Sequence, residues 1–257
     1  MAIREREATR STIPEVWVVP VLLAVAASGW WWSAVTARDM SGGTNGDMMM
    51  DGSAAMSLGT FLVAWVAMMG AMMLPAVLPV VRLYSRAAAR DTVAPVPFFL
   101  GGYAAIWSAI GLPAFIAWRR LDEPLADATP TAGRIAGLVL VSAAIYQLTP
   151  LKRACLRHCR SPLSFFMQHG KNLHRPSGAA IAGVRHGLYC LGCCWMFMAV
   201  LIAFGTMELA WMIGLAALIL VEKVTPIGER VATVAGAAFA IAGVVLLLDP
   251  TSVSHLT

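Results

Sequence analysis

The sequence predicts an all-α fold: a polytopic transmembrane helix bundle of about seven spans, with the N-terminus cytoplasmic and the C-terminus periplasmic. Three observations predict it. The 257 residues are 59% hydrophobic and only 13% charged, against about 45–50% and about 25% in soluble domains, and mean hydropathy is +0.72. The apolar residues fall in runs close to the roughly 20 that a helix needs to cross a hydrocarbon core of about 30 Å. Lysine and arginine sit in the connections between these runs, mostly on one side. So little charge cannot cover a water-facing surface, which excludes a soluble enzyme, a disordered chain and a coiled coil. The net charge of +5 lies between apolar runs rather than along one face, which argues against nucleic acid as a partner and leaves the lipid bilayer.

The candidate spans are 15–36, 57–81, 96–118, 133–149, 180–204, 207–222 and 231–248. They make a single transmembrane domain over 15–249, between a cytoplasmic tail 1–14 and a C-terminal tail 250–257. The fourth and sixth are short, and the sixth has Glu208 near one end and Glu222 at the other. With the N-terminus inside, fifteen of the 19 basic residues fall inside; Arg38, Arg119, Arg120 and Arg134 fall outside. That asymmetry sets the orientation and points to a multi-pass protein of the inner (cytoplasmic) membrane. Ala24-Val25-Ala26 after an arginine-bearing leader resembles a signal-peptide cleavage site. Glu5, Glu7 and the Trp30-Trp31-Trp32 cluster fit an uncleaved span with an interfacial anchor better. Two connections stand out: a Met-rich periplasmic loop 37–56 and a basic Cys/His cytoplasmic segment 150–179, too small to bury a core of its own.

The fifth span carries the strongest local signal. At 100° per residue, His186, Cys190, Cys193 and Cys194 share an arc of about 100° over about 12 Å of rise. Gly183, Gly187 and Gly192 allow a neighbouring helix to come close. Thiolates with imidazole suit Cu(I) or Zn(II); cysteine also serves as a small apolar residue in packed bundles. Haem is weakly signalled, because His186 is the only well-placed intramembrane histidine.

The second span carries Met68, Met69, Met72 and Met73, i,i+4 pairs on adjoining faces. Neutral thioethers can bind Cu(I) without placing a carboxylate in lipid, and they also fill irregular packing gaps. Pro75 removes a backbone donor there and frees a carbonyl for another partner. In the outer loop, Met48, Met49 and Met50 lie among Asp39, Asp47 and Asp51, a pattern suited to receiving a soft cation.

On the cytoplasmic segment, Cys155, His158 and Cys159 have i,i+3 and i,i+4 spacing. A short helix would gather them as three ligands with an open position. Lys152, Arg153, Arg157 and Arg160 would favour their thiolates, and the same helix reads as an amphipathic element on anionic lipid. Glu222 and Lys223 close the sixth span as an interfacial anchor or an ion relay. No phosphate-cradling loop, aspartyl-phosphorylation motif or nucleophile elbow is present.

Several of these stretches resemble a bacterial family of uncharacterised, predicted metal-binding integral membrane proteins, classed as a domain of unknown function. The resemblance rests on Met68-Met69-Gly70-Ala71-Met72-Met73-Leu74-Pro75 and Gly102-Tyr103 with Trp107. It also rests on Tyr146-Gln147-Leu148-Thr149-Pro150-Leu151-Lys152 running into Cys155 and Cys159-Arg160-Ser161-Pro162. The run from His186 to Trp195 and Glu222-Lys223 with Pro226 complete it, over about residues 55–245. The resemblance implies metal binding and, in one branch, copper delivery to bacterial polyphenol oxidases; it implies no catalytic residues.

Residues and resemblance together lead to one expectation: a membrane protein that binds a soft metal, Cu(I) before zinc, and hands it to a periplasmic or membrane-bound copper-accepting protein. The route runs from the outer methionines, past Met68, Met69, Met72 and Met73, to the His186/Cys190/Cys193/Cys194 stripe, with Cys155, His158 and Cys159 exchanging metal inside. It requires the second and fifth spans to be neighbours. The alternatives are a quinone-linked thiol oxidoreductase using Cys190, Cys193 and Cys194, and a permease with Glu222 as coupling acid. The sequence leaves the oligomeric state open.

Overall fold

The computed structural model describes residues 17–35, 57–88, 94–126, 129–161, 173–204 and 209–255. The tail 1–14 and the loop with Met48, Met49 and Met50 lie outside them. Among the described residues the fold is all-helical: α1 (Trp17–Val35), α2 (Leu58–Ala88), α3 (Val96–Ala126), α4 (Pro130–Leu148), α5 (Pro150–Arg160), α6 (Pro176–Ala203), α7 (Leu209–Val224), α8 (Gly228–Leu248) and a 3-10 turn, Pro250–His255. Six of them (α1 to α4, α6 and α8) are long and apolar enough to cross a membrane. The expected sixth span differs. It is α7, 16 residues long and thus about 24 Å, and it is not among the six.

Local chemistry places the helix boundaries. Thr129 caps α4, its hydroxyl accepting from the Ala132 N–H at 3.3 Å, with Pro130 in the first turn, where a missing N–H costs nothing. Pro150 forces the residue before it out of the helical region, so Thr149 is extended at φ −68° and ψ 148°. Thr149 then serves both helices. Its hydroxyl donates to the Tyr146 carbonyl at 2.7 Å, closing α4, and accepts from the Lys152 N–H at 3.3 Å, opening α5. In α2, Pro75 leaves the Ala71 carbonyl without its i+4 donor. The Trp30 indole N–H of α1 fills that vacancy at 3.1 Å.

α3 and α6 run side by side in the same direction, from the Ala94 N–H to Leu173 carbonyl bond at 2.6 Å upwards. Their crossing needs two glycines. A Cβ on Gly102 would collide with the Ala180 carbonyl, and one on Gly183 with the Phe99 carbonyl, so each lets the other helix's backbone approach. α4 lies along α8, and α2 packs on α3 and α7.

Part of the segment expected on the cytoplasmic side forms the short helix that its spacing suggested. Residues 150–160 form α5, which folds back along α6 with Lys152, Leu156 and Cys159 buried. The C-terminal ends of α4 and α7 and the start of α5 therefore meet α2 and α6 near the middle of those two long helices. The core is continuous from Phe61 and Trp65 near one end to Tyr84 and Phe99 near the other.

The glycine crossing sets the first prediction. Gly183→Ala should destabilise the protein by about 1–3 kcal/mol, the usual cost of overpacking. Gly101→Ala, which has open space around its Cβ position, should be neutral or stabilising by up to about 1 kcal/mol. Thermal unfolding of the two variants in detergent compares them.

Candidate functional site

Among the described residues the buried charged side chains are Lys152, Glu222 and Lys223, and all three meet where the helix ends converge. Burying an unpaired charge is expensive, so each needs a partner. Lys152 Nζ donates to Glu222 Oε2 at 2.8 Å, and Gln147 Nε2 donates to Glu222 Oε1 at 3.0 Å. The ammonium of Lys152 also lies 4.3 Å from the centre of the Phe197 ring. The carboxylate is thus held from α4 and α5 together, across a turn made by Thr149 and Pro150. On the outer flank of α5, Arg157 pairs with Glu229 at 2.8 Å and Arg160 donates to the Thr225 carbonyl. The Arg157 pair is exposed and adds little to stability.

Lys223 has no carboxylate. Its Nζ points into sulfur, 3.0 Å from Cys190 Sγ and 3.9 Å from Met73 Sδ. Cys190 Sγ is also 3.2 Å from the Tyr103 hydroxyl. One turn on, Cys193 Sγ lies 3.8 Å from Cys159 Sγ, which α5 brings in from the side. Cys193 and Cys194 both donate to the Cys190 carbonyl, at 3.1 and 2.9 Å. The site therefore draws sulfur from three helices: Met73 of α2, Cys159 of α5, and Cys190 and Cys193 of α6. All four residues are buried.

The second and fifth expected spans, α2 and α6, are thus joined through Lys223. Met68, Met69 and Met72 are buried on the same helix as Met73. His186 is buried one turn before Cys190, its ring centre 6.0 Å from those of Phe99 and Tyr103.

Cys155, His158 and Cys159 all face α6 but meet different residues. The His158 ring stacks on Tyr189 at 4.4 Å and its Nδ1 donates to Ala154 O at 2.8 Å. Cys155 lies beside Gly192, where a Cβ would meet its sulfur. Only Cys159 reaches the other thiols. Among the described residues no group of three or more His, Cys, Asp and Glu side chains stands ready as a metal site.

Sequence reasoning expected the basic neighbours of α5 to favour thiolates. Burial outweighs them: it pushes the Cys155 thiol up, with the nearby Cys193 adding to the effect. The Cys159 thiol is held well above the ordinary range, first by hydrogen bonding with Cys190 and Cys193 and then by burial. Glu222 and Lys223, expected as an interfacial anchor or an ion relay, are adjacent in sequence but face different partners. Tyr103, Gln147 and the pairing role of Lys152 were missed. Tyr103 and Gln147 lie inside recognisable motifs, whereas nothing local marks Lys152 as buried.

A family model described as PpoB2, copper chaperone, matches residues 62–246, a stretch that contains every one of these side chains. No curated protein and no solved structure matches the chain.

Two predictions follow from the geometry. Glu222→Leu should destabilise the protein by about 3–5 kcal/mol, because it strands the Lys152 ammonium. Adding Lys152→Met should recover most of that loss, since an apolar pair of similar volume replaces a buried ion pair at little cost. Thermal unfolding of both single variants and the double variant closes the cycle. Separately, in a protein whose only thiol is Cys155, maleimide should react slowly at pH 7, and its rate should keep rising past pH 9, because a raised thiol pKa leaves little thiolate below it. Alkylation rates against pH measure this.

Proposed function

Because the chain belongs to the PpoB2 family of copper chaperones, we propose that its cargo is Cu(I), held between thiols of Cys159, Cys190 and Cys193 and passed to a copper-accepting protein such as a polyphenol oxidase. The observation that carries the reading is the 3.8 Å separation of Cys159 and Cys193 across two helices, with Cys190 one turn away. A thiolate–metal bond is about 2.3 Å for zinc, so a single soft ion bridges such a pair with little movement. Thiolate and thioether sulfur are soft donors that suit Cu(I), and Met73 adds a neutral donor beside the thiols.

Placement favours transfer over storage. Cys159 sits on α5, a helix attached separately from α6, so one ligand can shift while the other holds. Sequential sulfur exchange then needs no bare ion. Cys155 and His158, partly exposed on the same short helix, form the side on which an acceptor collects the cargo. The remaining parts of the route stay as read from the sequence: Met48, Met49 and Met50 as the outer receiving loop, Met68, Met69 and Met72 as the path inward, and His186 and Cys194 as members of the stripe with Cys190 and Cys193. The setting is the cytoplasmic membrane, with α5 on the cytoplasmic side.

The test is anaerobic Cu(I) titration of detergent-purified protein against a chromophoric chelator. One Cu(I) per chain is expected. Cys193→Ser and Cys190→Ser should each lose more than the roughly 10–100-fold in affinity that a change behind the ligands typically costs. A wild-type protein that takes up no Cu(I) would end this reading.

A further inference from the structure

Resting on the copper reading, a second property follows from the charges around the sulfurs. Lys152 and Glu222 neutralise one another at 2.8 Å. That leaves Lys223 as the one buried side-chain charge, among the described residues, without a carboxylate partner. Its ammonium stands 3.0 Å from Cys190 Sγ and 3.9 Å from Met73 Sδ, against the place where the cargo would sit.

A lone buried cation is costly, and its replacement by an apolar side chain of similar size is commonly neutral or stabilising. Packing gives no reason to put a lysine here, and helix capping gives little, since the Nζ points inward to sulfur rather than outward along α7. What the ammonium does is fix the charge of the site.

We propose that Lys223 is the charge selector of the sulfur site, admitting a monovalent soft ion and opposing a divalent one. With any two of the three thiols ionised, two thiolates, one monovalent ion and one ammonium sum to zero. A divalent ion in the same place reaches neutrality only if the third thiol also ionises beside the other two thiolates. It also meets twice the repulsion from Lys223. Thiol chemistry alone does not make this distinction, because thiolates bind Cu(I) and Zn(II) alike. A fixed ammonium makes it by charge, without altering the donor atoms.

The test uses ions of similar softness and different charge: Ag(I) with Cu(I) on one side, Cd(II) and Zn(II) on the other. In the purified wild-type protein, Ag(I) and Cu(I) should bind one per chain and persist against an excess of Cd(II). In Lys223→Met, the ratio of Ag(I) to Cd(II) affinity should fall by about 100-fold or more, the scale of one unit charge removed at a few ångströms. Lys223→Arg should keep the wild-type ratio. If Lys223→Met fails to fold, Lys223→Gln takes its place: the same fall in the Ag(I) to Cd(II) ratio supports the selector, and an unchanged ratio overturns it. Equal ratios in wild type and Lys223→Met also overturn it while leaving the copper reading intact. Failure of Cu(I) and Ag(I) to bind at all would overturn both.

Discussion

Charge buried at the ends of helices is the constraint on which the rest of the structure depends. Lys152, Glu222 and Lys223 are all within the interior, and in an apolar bundle none can be there without a partner within hydrogen-bonding reach. Satisfying Glu222 requires α4, α5 and α7 to end or begin at one level. The Thr149-Pro150 turn makes that possible, since it closes one helix and opens the next within two residues. α7 stops where Lys223 meets sulfur, and the helix is correspondingly short. α5 is pinned along α6 by the same contacts, and its position brings Cys159 to Cys193.

Around that charged level the remaining side chains are soft and apolar. Tyr103 lies against Cys190 and Met73 shares Lys223 with it, and both are buried, as are Met72, Phe99 and Phe197. Such a lining strengthens every electrostatic interaction inside it and keeps out the hard oxygen ligands that Mg(II) or Ca(II) would need. The sulfurs come from three separate helices, α2, α5 and α6. The membership of the chain in a copper chaperone family and this arrangement are mutually consistent. A chaperone must bind its cargo against loss and still release it, and ligands on separately attached helices allow both.

Much of the site could be read from periodicity. His186, Cys190, Cys193 and Cys194 share one face of α6, as 3.6 residues per turn requires, and that face is buried. The methionines of α2 were legible for the same reason, and the carbonyl that Pro75 had to release finds the Trp30 indole. The α5 reading was less complete. Spacing put Cys155, His158 and Cys159 on one side, but stacking on Tyr189 takes the histidine and Gly192 receives Cys155. The basic character of α5 suggested an amphipathic helix on lipid with activated thiols, whereas burial raises the Cys155 pKa and hydrogen bonding with Cys190 and Cys193, then burial, raises that of Cys159.

By itself the sequence determined the helical class, the positions of the apolar segments and the presence of a soft-donor face. These depend on composition and on a period that repeats within a single helix. Tertiary structure alone decided that Lys152 pairs with Glu222 across 70 residues of chain, that Lys223 faces Cys190 and Met73 rather than water, and that Tyr103 joins them. These depend on the distances between helices, which no local period encodes. The same lysine would be an interfacial anchor if α7 ended a turn lower, and only the packing of α2, α6 and α7 around it makes it part of the sulfur site.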